Sequence, residues 1–113
     1  NAGNGAFAVT EVLEITGGPQ GAAIADLDGD GRLDLAASGY QSGSVMLFRN
    51  AGSRAFVRGD DIAVGGNLWS IAAGDVDGDG DGDLAVALRD PASIIVLRNS
   101  STPAARFSPF QVL

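Results

Sequence analysis

Cysteine, histidine and lysine are all missing from this 113-residue chain. Without cysteine there are no disulfides, no thiolate metal sites and no thiol nucleophile. Without histidine there is no Ser-His-Asp triad and no imidazole ligand for zinc. All seven cations are arginine, so a P-loop lysine and Schiff-base chemistry are excluded as well. Positive charge is itself scarce, 7 against 14 carboxylates. The net charge of −7 opposes nucleic-acid binding, which needs a basic face for phosphates. No apolar run approaches the ~18 residues of a membrane helix. The one plentiful small residue is glycine, 17 of 113, roughly twice average usage, which predicts many turns. With 45% hydrophobic and 19% charged residues, the chain suits one modest globular domain rather than a disordered segment.

The acidity is concentrated in two short windows. One holds Asp26, Asp28, Asp30 and Asp34; the other holds Asp75, Asp77, Asp79, Asp81 and Asp83. Like charges this dense repel one another unless something positive joins them.

Those windows are copies. Shifting the chain by 49 residues superposes Asn1-Ala2-Gly3 on Asn50-Ala51-Gly52 and Ala6-Phe7 on Ala55-Phe56. Asp26-Leu27-Asp28-Gly29-Asp30-Gly31 falls on Asp75-Val76-Asp77-Gly78-Asp79-Gly80, Asp34-Leu35-Ala36 on Asp83-Leu84-Ala85, and Arg49 on Arg98. Without gaps, 17 of 49 paired positions are identical. The chain therefore divides into repeat 1 (1–49), repeat 2 (50–98) and the start of a third (99–113), where Phe107 follows a two-residue insertion.

Short apolar runs bounded by Gly, Asp and Asn are strand signals. They predict strands at 22–27, 33–38, 44–49 and 56–64, then 70–76, 84–88, 93–98 and one beginning at Phe107. A further strand is expected at 7–15, equivalent to 56–64. Four strands in ~50 residues describe a propeller blade. The expected fold is all-β, two four-stranded blades. Two blades leave two sheet faces bare, so the ring is expected to be completed by copies of the chain or by a longer parent chain. Copies assembling head to tail would give a trimer or tetramer, within the usual four to eight blades. Of the two ends, the strand at 7–15 is expected to complete a neighbour's blade, and the one from Phe107, carrying Pro109, to be weak or displaced.

The pattern Asp-x-Asp-Gly-Asp-Gly-x-x-Asp carries the chemistry. Hard dications take six to eight oxygen ligands, and glycines permit the tight curl that turns carboxylates inward. One candidate set is Asp26, Asp28, Asp30, the Arg32 backbone oxygen and Asp34; the other is Asp75, Asp77, Asp79, the Asp81 backbone oxygen and Asp83. All-oxygen donors favour Ca2+, about one per repeat. An EF-hand is excluded, because position 12 is Ala37 or Val86 instead of glutamate and the flanks are strands.

Asp-x-Asp-Gly-Asp-Gly-x-x-Asp-Leu, an apolar strand ending in Arg-Asn, and the Gly and Phe that follow resemble the FG-GAP (also called VCBS) repeats of integrin α-subunit-like propellers. The resemblance covers almost the whole chain. It implies calcium loops between the first and second strands of each blade, on the lower face, with a structural ion held by the eight aspartates at loop positions 1, 3, 5 and 9. The Asn-x-Gly-x-x-x-Phe turn stands intact at 1–7 and 50–56 and is altered at 99–107.

The opposite face carries the candidates for ligand binding. Trp69, with Gln20 as its counterpart, is placed in the turn before an innermost strand; Tyr40-Gln41 and Arg89-Asp90 are placed in turns between second and third strands. Arg58-Gly59-Asp60 falls within an outer strand, where a loop-tip recognition tripeptide would not function. Asp60-Asp61 and Glu11/Glu14 lack any companion His, Cys or Lys, so no enzyme activity is expected. The reading is a calcium-stabilised binding or structural module, secreted to the extracellular space or periplasm. The alternatives are a lectin-type propeller and an accessory domain of a larger extracellular enzyme.

Overall fold

A computed structural model describes residues 3–9, 11–53 and 55–100, together with the backbone of 107–112. Eight strands run in chain order: β1 Pro19–Ala25, β2 Asp34–Gly39, β3 Ser44–Asn50, β4 Phe56–Ala63, β5 Asn67–Gly74, β6 Asp83–Asp90, β7 Ser93–Asn99 and β8 Phe107–Val112. They form two antiparallel sheets, β1-β2-β3-β4 and β5-β6-β7-β8. No helix occurs among the described residues.

The two first strands do not start where the apolar runs begin. β1 and β5 each begin three residues earlier than the sequence predicts and stop two residues earlier. Paired glycines explain the early start. Gly17 and Gly18 (φ 78° and 69°) and Gly65 and Gly66 (φ 85° and 73°) reverse the chain in two residues, using the left-handed region open to glycine. Asn67, Leu68 and Trp69 are therefore strand, not turn. Asp26 and Asp75 explain the early stop, since their side chains draw the following backbone into the loop and out of the ladder.

Both first strands carry a bulge at the same repeat position. β1 shifts register between Pro19 and Gly21, and β5 between Leu68 and Ser70. The skipped residues are Gln20 and Trp69. A bulge puts two residues opposite one and re-aims a side chain; Gln20 and Trp69 both point to solvent.

The main core lies between the sheets. Ala23, Leu27, Ala36 and Val45 from one sheet meet Leu68, Ile71, Leu84, Val86, Leu88 and Leu97 from the other. β5 lies against β1 and β2, and Gly21 lets it approach: a Cβ there would stand 3.4 Å from the Ile71 nitrogen. Leu68, Leu84 and Leu97 are almost wholly buried, each stabilising the fold by about 1.5–3 kcal/mol. A smaller cluster of Ala37, Met46 and Phe48 covers the other side of the first sheet, with Leu13, Ile15, Leu35 and Phe56 packed on it.

The expected strand at 7–15 is not a strand among the described residues of that segment. It is the repeat counterpart of β4, but β4 exists because β3 supplies its hydrogen bonds. Among the described residues no strand pairs with the segment, and an unpaired strand is not stable in water. Conversely, the final strand forms despite Pro109. β8 pairs with β7, and the register shifts between Val96 and Leu97, beside the Leu97–Pro109 pair; a bulge accommodates the missing N–H. The altered turn after Asn99 lies mostly outside the described residues.

Candidate metal centre

Each aspartate loop joins the first strand of a sheet to the second, 26–33 between β1 and β2 and 75–82 between β5 and β6. The curl is built from aspartates capping backbone N–H groups, a habit that makes this residue a turn former. Asp26 accepts from Gly29 N at 2.9 Å and Gly31 N at 2.8 Å. Asp75 does the same for Gly78 at 2.7 Å and Gly80 at 2.9 Å. Asp28 accepts from Asp30 N, and Asp77 from Asp79 N.

The result brings three carboxylates together in each loop. One oxygen from each of Asp26, Asp28 and Asp34 lies within 4.8 Å of the others, as does one from each of Asp75, Asp77 and Asp83. Asp30 and Asp79 stand outside these groupings. The Asp30 carboxylate turns to Arg32, accepting from its backbone N at 2.8 Å and its guanidinium at 2.9 Å. Asp79 accepts from Asp81 N at 2.9 Å.

The last aspartate of each loop has a second task that the spacing alone did not reveal. Asp34 is 2% exposed. It accepts from Leu27 N at 2.9 Å and from Asn50 N at 2.8 Å. Asp83 repeats both bonds, to Val76 N at 2.9 Å and Asn99 N at 2.8 Å. One carboxylate thus ties the loop to the end of the sheet's third strand. The sequence signal was the Arg-Asn ending shared by β3 and β7. The arginines serve the same loops: Arg49 approaches Asp28 at 3.9 Å, and Arg98 pairs with Asp77.

Electrostatics differ along the loop. Asp28 is pushed above the ordinary carboxylate range, chiefly because burial strips its water, with the Asp34 charge adding to the effect. The Arg32 backbone N–H holds Asp30 below that range, and the Gly80 N–H does so for Asp75. Each donor set consists of three carboxylate oxygens within 4.8 Å of one another, and in the first set the Asp28 carboxylate is poorly hydrated. Such a set fits a hard dication and offers nothing to a metal that prefers nitrogen or sulfur.

The face opposite the loops also gathers what the sequence placed there. Tyr40 and Trp69 meet edge to face, ring centroids 6.2 Å apart. Arg89 lies over the Trp69 ring at 5.4 Å, and Asn67 donates to the Tyr40 hydroxyl at 3.5 Å. Gln41 stays in its turn, bonding through its backbone N to Gly17 O at 2.7 Å. Arg89 and Asp90 belong to the end of β6 rather than to the turn, because pairing with Asn67 extends the ladder to Asp90. Arg58 is held within β4 by both oxygens of Asp61, at 2.9 and 3.0 Å.

A protein-family profile described as an FG-GAP-like repeat matches residues 26–86, more than half of the chain. No curated protein and no solved structure gives a match.

Proposed function

The chain belongs to the FG-GAP-like repeat family, and on that footing we propose that it is a calcium-stabilised, non-enzymatic β-propeller module with a binding role. The observation that carries this reading is the duplicated carboxylate cluster, built the same way in the same loop of both sheets. Asp26, Asp28 and Asp34 would hold one ion and Asp75, Asp77 and Asp83 the other. Asp30, Asp79 and the backbone oxygens of Arg32 and Asp81 are proposed to complete the spheres. A bound dication supplies positive charge where the loop's own carboxylates repel.

Exposed extracellular modules hold calcium at roughly 10⁻⁴–10⁻³ M, which suits a secreted protein working where calcium is plentiful. Its partners are proposed to be further blades, from copies of itself or from a longer chain, together with a protein or glycan ligand on the face opposite the loops. Isothermal titration with CaCl2 tests the core of the reading. Two equivalents per chain are expected, and heat-free titration would overturn it.

One observation favours a more specific reading of the ligand face. Trp69 is 49% exposed and stands among Tyr40, Asn67 and Arg89. An aromatic plane ringed by polar groups is a surface on which a sugar ring can stack. A glycan array run on wild type and Trp69→Ala would separate this lectin-type role from a purely structural one.

A further inference from the structure

The two outer faces of this chain are copies of the two faces that meet inside it. The first sheet presents Ala23, Leu27, Ala36 and Val45 to the second, all buried. The same repeat positions 49 residues later are Ala72, Val76, Ala85 and Ile94, on the side of the second sheet turned away from the first. There Val76 and Ile94 are 55% and 44% exposed, where Leu27 and Val45 are 3% and 0%. The converse also holds. Ala73 packs against the core between the sheets, and its counterpart Ile24, on the outer side of the first sheet, stands 61% exposed.

Two finer details continue the same interface. Asn99 donates its side-chain amide to Leu27 O of the other sheet at 2.7 Å, besides Gly82 O in its own. Its counterpart Asn50 makes the bond within its own sheet, to Leu33 O, and the counterpart of the Leu27 carbonyl is that of Val76. Leu13 and Ile15 pack on the outer side of the first sheet as Ile62 and Val64, 49 residues on, pack on the core between the sheets. Residues 13–15 thus sit where the outer strand of a preceding blade would arrive.

Resting on the propeller-blade reading above, we infer that the outer face of the second sheet docks on the outer face of the first sheet of a second copy, head to tail. The contact repeats the internal one: Ile94 and Ala72 of one copy against Ile24 and Leu35 of the next, with Asn50 donating to the Val76 carbonyl across the boundary. Both faces are apolar at these positions, and Ile24 and Ile94 stand exposed in a single chain, whereas Met46 and Phe48 on the first face are already covered by Leu13, Ile15 and Phe56. A head-to-tail contact closes into a ring when its rotation allows, and four to eight blades correspond to two to four copies.

Sedimentation velocity on the 113-residue chain at about 50 µM in calcium tests the inference. A single discrete species of two to four copies is expected. Ile94→Asp and, on the opposite face, Ile24→Asp replace side chains already exposed in the single chain. Each is expected to yield a monomer with unchanged circular dichroism. Val57→Asp, exposed on β4 and away from both faces, is expected to leave the assembly intact. A wild-type monomer, an open-ended series of multimers, or an oligomer that survives both Ile substitutions would overturn the inference. Calcium titration of the Ile94→Asp monomer keeps the two readings apart, because the loops lie within one chain and should still take two ions.

Discussion

Asn99 reaches across the boundary between the sheets and donates its side-chain amide to the Leu27 backbone oxygen at 2.7 Å. Seventy-two residues separate the partners in sequence. The bond joins the end of a third strand in one sheet to the entrance of the aspartate loop in the other. Replacing Asn99 by Ala should leave the buried Leu27 carbonyl without that donor, at a cost of about 1–3 kcal/mol. Asn50→Ala, which breaks a bond to Leu33 within one sheet, should cost less in a single chain. Urea melts of the two variants check the order.

Asp83 offers a way to separate the scaffold from the proposed metal site. Its carboxylate satisfies the Val76 and Asn99 backbone N–H groups from a fully buried position. Asp83→Asn keeps the size but turns an NH2 toward one of the two donors. In excess chelator, where metal contributes nothing, the variant should still lose about 1–3 kcal/mol. Chemical denaturation with and without EDTA would show whether the loss survives chelation; equal stability in EDTA would confine Asp83 to the metal.

Removing calcium should lower the melting temperature of the wild type, since a ligand that binds only the folded state stabilises it by RT ln(1 + [L]/Kd). Asp28→Ala and Asp77→Ala should each remove one equivalent in a calorimetric titration and leave the other site filled. An identical melting curve in EGTA and in millimolar calcium would contradict the prediction, and nanomolar binding would contradict the proposed extracellular setting.

The paired glycines before β5 should respond unequally to a methyl group. Both hold positive φ. A Cβ on Gly65 meets open space, whereas one on Gly66 would stand 2.8 Å from Leu88 Cδ2 and 2.9 Å from the Asp90 oxygen. Gly65→Ala should cost about 1 kcal/mol in backbone strain, and Gly66→Ala clearly more, because the Asp90 backbone cannot yield. Thermal unfolding of both variants measures the difference.

Much of this protein was legible in the residue string because it is written twice. Shifting by 49 residues exposed the repeat, and the Asp-Gly alternation located both loops, because a carboxylate capping a nearby N–H is a local event that needs no tertiary partner. The strands followed from apolar runs between turn residues for the same reason. Tertiary structure decided what local pattern cannot. Residues 7–9 and 11–15 hold the repeat positions of β4 without becoming a strand, since a strand needs a neighbour's hydrogen bonds. Paired glycines and bulges moved Gln20 and Trp69 from turn to strand, and only the ladder to β2 and β6 reveals that register. The second role of Asp34 and Asp83 joins each loop to the end of the third strand of its own sheet, 16 residues on, and depends on how the second and third strands pair. The reach of Asn99 to Leu27 spans 72 residues; it depends on how the two sheets stack, and no spacing within a single repeat records it.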